Sequence, residues 1–99
     1  MDNDDFPEYI TSVAEGDDDA LKVDLLKGIT VDGESRKSLT LREPAVRDMM
    51  AARKMGKNDN AMSEVILIAN LAGVPPEAIQ DVKNKDYGRL QEALVFLNG

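Results

Sequence analysis

Asp86-Tyr87, Ser63 and the run Asp17, Asp18, Asp19 are the places where this sequence could do chemistry. The chain contains no cysteine and no histidine, which excludes thiol nucleophiles, disulfides, zinc-finger sites and imidazole acid–base work. Catalysis would fall to carboxylates, lysines or Tyr87, without a glycine-rich loop to cradle a phosphate. Ser63 lies in Met62-Ser63-Glu64, not in the Asp-Ser-Leu context of a carrier-protein attachment serine. The aspartate run lacks the central Gly and terminal Glu of a calcium loop. Asp86-Tyr87 reads as a helix cap followed by a core anchor. An enzyme is therefore not expected, and neither a metal site nor a cofactor.

Charge separates the chain into two parts. Residues 1–20 carry eight acids and no base, while the rest holds eleven acids and twelve bases. The net charge of −7 therefore belongs to an acidic leader, expected to be a disordered, solvated tail, in front of a nearly neutral single domain over 21–99. The leader's first residues are acidic where a cleaved signal needs a basic start and an apolar stretch. The longest apolar run, Val65 to Ala69, is far shorter than the ~20 residues that span a bilayer. A cytosolic address follows as the expectation.

Residues 22–42 hold two β-rich stretches separated by Asp32-Gly33, a strong hairpin signal because both residues tolerate positive φ. Gly28, inside the first stretch, predicts a bulge or bend. LTLREPAVRDMM (39–50) then changes its hydrophobic rhythm from strand to helix, with Pro44 at the switch. A first helix is expected over 44–55, its apolar stripe of Ala45, Val46, Met49, Met50 and Ala52 facing the hairpin or the next helix. Asp59 or Asn60 caps a second helix over 60–72, ended by Gly73 and apolar on nearly all sides along its C-terminal half. VPPEAIQDV makes a short helical turn. A last helix over 85–97 docks by Tyr87, Leu90, Leu94, Leu97 and Ala93, and Gly88 in it suggests the close approach of another element. The expected fold is α+β: an N-terminal antiparallel hairpin followed by a small bundle of three helices plus the short turn.

ITVDGE, LTLREPAVRDM and LAGVPPEAIQDVKNKDYGRLQEALVFL occur in this order. Together they resemble the phage tail assembly chaperone family of Mu-like and P2-like contractile-tailed phages and prophages, over about Lys27 to Leu97. The chain departs from the family's usual look in its acidic leader and in VKNKDY. The resemblance implies a small protein of the host cytoplasm that binds the tape measure protein and keeps it soluble during tail tube assembly. It also implies absence from the mature virion and a longer, frameshifted form of the chain. A homo-oligomer is compatible with so apolar a second helix.

The candidate partner-binding residues are Met49, Met50, Arg53, Met55, Arg42 and Arg47. Methionine repacks around varied apolar partners, and a helix laid into a groove uses such a surface. Bases cluster here, seven between Arg36 and Lys57 against Glu43 and Asp48. Arg47 is placed to pair with Glu43 one turn away, and Asp48 to favour the helix dipole. A DNA-binding regulator is the alternative, with helix, turn and helix drawn through residues 68–94. Its recognition helix, Asp86 to Leu97, has Arg89 as its one base, so no nucleic acid and no membrane partner is expected.

Overall fold

Asp32 and Gly33, with φ of 53° and 80°, turn the chain back on itself and pair β2 (Ala20–Val31) antiparallel with β3 (Glu34–Arg42). Two successive positive φ values match the twist of paired strands, so the Asp-Gly signal and the geometry agree. The computed structural model describes residues 6–13 and 19–98. A further strand, β1 (Ile10–Ser12), adds to the other edge of β2, giving the order β1-β2-β3 with both pairings antiparallel. Helices α1 (Val46–Met55), α2 (Asn60–Ala72), α3 (Pro76–Gln80) and α4 (Asn84–Asn98) follow. The fold is α+β, as the hydrophobic rhythm predicted.

One face of the sheet is apolar because Leu21, Val23 and Leu25 alternate with exposed residues along β2, and Leu39 and Leu41 do so along β3. Against that face lie α4, chiefly over β2, and α2, over β3. Ile66, Leu67, Ile68, Ala69 and Leu71 of α2 and Leu90, Ala93, Leu94 and Leu97 of α4 complete the core. The Asp59 side chain caps α2 by accepting from Met62 N at 3.1 Å, and Pro76 stands at the first position of α3 after an extended Pro75.

The bulge foreseen at Gly28 is larger than one residue. Between the pairs Asp24↔Ser38 and Ile29↔Arg36, β2 advances five residues while β3 advances two. Three backbone N–H groups leave the ladder there, and one side chain collects them: Asp86 accepts from Leu26 N at 2.6 Å, Lys27 N at 2.9 Å and Gly28 N at 3.0 Å. Gly28 has φ of 97°, and a Cβ on it would lie 2.6 Å from the Arg36 carbonyl oxygen, so only glycine fits. Asp86 is 0% exposed. Burial pushes its carboxyl pKa up, but the three N–H groups outweigh that and hold it below the ordinary value. Asp86 is therefore a cap, but of the bulge sixty residues away and not of its own helix. Gly88, by contrast, has open space where a Cβ would stand, so the expected close approach does not occur there.

The acidic leader also differs from expectation over residues 6–13. Ile10 is 4% exposed, and β1 supplies hydrogen-bond partners to the edge of β2. Phe6 meets Phe96 edge to face at 4.9 Å between centroids, the Tyr9 hydroxyl donates to Glu92, and the Arg89 guanidinium lies 4.1 Å above the Tyr9 ring. Three well-spaced apolar and aromatic residues are enough to anchor the segment on α4, which a count of its charges does not register. The rest of the leader expected to be disordered, at 1–5 and 14–18, lies outside the described residues.

Candidate functional site

Helix α1 starts at Val46, two residues later than the Pro44 start expected, so Pro44 precedes the helix instead of opening it, and an extended Ala45 (φ −99°, ψ 163°) stands before the first turn. Ala45 has no side-chain acceptor, so the start is held from the other direction. Asp48, three residues on, accepts from Ala45 N at 2.8 Å and from both terminal nitrogens of Arg42 at 2.8 and 2.9 Å. The Arg42 fork and then the Ala45 N–H hold the Asp48 carboxyl well below the usual carboxylate range. The ion pair of this region thus joins the end of β3 to the first turn of α1 through Arg42, where the i,i+4 pairing of Glu43 with Arg47 was anticipated. Arg47 stays exposed.

The expected apolar stripe of α1 is only partly covered by the rest of the fold. Ala52 is buried and Ala45 half-buried, whereas Val46, Met49, Met50 and Met55 are 74, 51, 68 and 61% exposed. The reason is geometric: the buried side of α1 is the Asp48–Ala52 line, one turn apart, and the methionines point elsewhere on the helix. Where α1 ends, a Cβ on Gly56 would collide with Ser63 Oγ and stand 2.9 Å from Ser63 N. Lys57 and Asn58 then turn the chain with left-handed φ of 53° and 66°.

This close approach leaves a groove of about 360 Å³ beside α1. Met49, Met50, Ala52 and Arg53 form one wall, Asn60, Ser63, Glu64 and Leu67 of α2 the other, and Leu94 and Asn98 close it from α4. Three of the candidate residues, Met49, Met50 and Arg53, are brought together. Met55 is exposed at the helix end outside the lining, Arg47 lies outside it too, and Arg42 is committed to Asp48. Sequence reasoning missed the α2 and α4 walls. Glu64 accepts at one oxygen from Tyr87 Oη at 2.7 Å and from Gln91 Nε2 at 2.8 Å. Burial, then the Glu64 contact, raises the Tyr87 pKa, so the phenol is a donor to Glu64 and not a base. Ser63 Oγ is buried without a hydrogen-bond partner among the described residues.

Chemically the groove offers apolar, repackable contacts beside a guanidinium, which suits docking more than bond making. Among the described residues no group of three or more acids is placed to hold a metal ion. No helix described is long and apolar enough to cross a membrane. The base of the helix that a DNA-binding reading would use for recognition is occupied, since Arg89 donates to the Asp24 carbonyl at 2.8 Å and covers Tyr9.

Comparison with known proteins agrees with the motifs. The family model described as phage tail assembly chaperone proteins, E, or 41 or 14, matches residues 22–99. That stretch contains nearly all of the hairpin, every helix and the whole groove, and begins after β1. No curated protein and no solved structure gives a significant match.

Proposed function

The chain belongs to the phage tail assembly chaperone family, and from that membership we propose that it binds a tape measure protein and keeps it soluble while the tail tube assembles around it. The observation that carries the proposal is the set of uncovered methionines on α1, Met49 and Met50 above all, at the mouth of a groove. A long, apolar-faced client needs a surface that can repack, and methionine supplies one with three rotatable bonds and a polarizable sulfur. Arg53 lines the same groove, with Arg47 and Met55 extending the exposed face on either side. Arg42 acts indirectly, fixing the helix through Asp48.

The role is non-enzymatic and belongs to the host cytoplasm, during production of a phage or induction of a prophage, and the chaperone is left out of the finished virion. A frameshifted longer form of the chain and a homo-oligomer are further partners this reading allows. A helix-turn-helix regulator is disfavoured because Arg89 is engaged within the fold and Asp86 is buried.

Co-expression of the chain with the tape measure protein encoded near its gene tests the proposal. A soluble, co-purifying client supports it, and Met49→Ser with Met50→Ser should then abolish co-purification. A client that stays insoluble with both this chain and an extended, frameshifted product overturns it.

A further inference from the structure

The groove also has a sign and a shape. Every exposed charge on α1 is positive: Arg47, Arg53 and Lys54, with Lys57 just beyond the helix end. The helix's one acid, Asp48, is buried and held by Arg42. On the opposite wall Glu64 is turned toward Tyr87 and Gln91. The α1 rim is therefore cationic while the floor, at Leu67 and Leu94, is apolar.

The walls are three helices, which satisfy their own backbone groups and offer no free ladder to an incoming chain. A strand laid here would leave its N–H and C=O groups without partners, whereas a helix brings its hydrogen bonds with it. A bilayer is also a poor fit, because the apolar floor lies recessed between helices. We infer that the groove docks an amphipathic helix whose apolar residues sit between Met49, Met50, Leu67 and Leu94 and whose flanking carboxylates lie along the α1 rim, opposite Arg53. This deepens the chaperone proposal by stating the chemistry of the client segment, and it rests on that proposal only for where such a segment would come from.

Two synthetic helical peptides test it, identical in a leucine face and flanked by Glu in one and Lys in the other. They are titrated into the full chain carrying 13C-methyl methionine. The Glu-flanked peptide should move the Met49 and Met50 methyl signals and bind at least about tenfold tighter at low salt, an advantage that shrinks at about 0.5 M salt. Arg53→Gln should erase much of the preference and Arg53→Glu reverse it. Both substitutions are at an exposed position, and amide spectra verify that the fold is kept. Equal affinities, shifts away from these methionines, a preference untouched by Arg53→Glu, or tighter binding of phosphatidylserine vesicles at the same methionines would each overturn the inference. A tape measure protein that co-purifies although the Glu-flanked peptide shows no advantage would remove this inference and leave the chaperone proposal standing. The reverse result would do the opposite.

Discussion

Helices α1 and α2 are consecutive, pack on each other, and put their apolar residues to opposite uses. In α2, Ile66, Leu67, Ile68, Ala69 and Leu71 are buried, and the helix is part of what makes the domain fold. In α1, Val46, Met49, Met50 and Met55 are exposed, and among its residues only Asp48 and Ala52 are buried. The difference lies in what holds each helix. Hydrophobic burial holds α2, whereas a carboxylate gripped by Arg42 and the Ala45 N–H fixes α1 at its start. A helix secured by a polar joint can leave its apolar side chains unused by the core, and those are the ones available to a partner.

That contrast can be broken most forcefully where the core and the sheet meet. Asp86→Ala would leave three part-buried N–H groups without an acceptor, at about 1 kcal/mol each, the low end of the penalty for an unpaired donor. A loss of at least about 3 kcal/mol in urea unfolding is expected, and less than about 1 kcal/mol would mean that the bulge finds another acceptor. Acid should act on both joints at once. Asp48 and Asp86 are held below the ordinary carboxylate pKa, so the stability they contribute is fully present above about pH 5 and is lost as pH falls through the unfolded and then the folded values. The unfolding midpoint should be level from about pH 8 to 5 and then drop, and Asp86→Asn, starting lower, should drop less steeply.

Asp48→Ala should cost about 1–2 kcal/mol through loss of the helix-start acceptor and the Arg42 pair. Amide exchange should rise across α1 while the α2 and α4 cores stay protected. A uniform rise would show that α1 and α2 form one cooperative unit. Met49→Ser and Met50→Ser sharpen the comparison from the other end. At such exposed positions stability should move by no more than about 0.5 kcal/mol while client co-purification falls, whereas Leu67→Ala in the neighbouring helix should destabilise by about 2–5 kcal/mol.

Features governed by neighbours in the chain were legible in the sequence: the Asp32-Gly33 turn, the break at Gly28, the Pro44 switch, the α2 cap and the docking stripe of α4. Three ordered motifs were enough to place the family. Features that depend on distant partners were not. Nothing near Asp86 announces that its acceptor sites belong to residues 26–28, and Gly28 signals a bulge without saying what satisfies it. The anchoring of β1 turns on Phe96, Arg89 and Glu92 of α4, more than seventy residues downstream. Periodicity showed that α1 is amphipathic but not which side is covered, because a methionine stripe looks the same whether the protein or its client buries it. The candidate site was therefore found by composition at Met49, Met50 and Arg53, while its α2 and α4 walls appeared only once the helices were packed.

The Asp86 contact has a consequence for the order in which the protein forms. Its bonds join residues 58 to 60 positions apart, so on a ribosome the hairpin is complete long before its bulge can be secured. Local pairing around Asp32-Gly33 is fast, and closing a loop of that size comes later and more slowly. The nascent hairpin therefore waits with three bare amides until the last helix emerges, and docking of α4 is the event that commits the chain to its native state. Stopped-flow measurements on Asp86→Ala should accordingly find folding slowed and unfolding little changed.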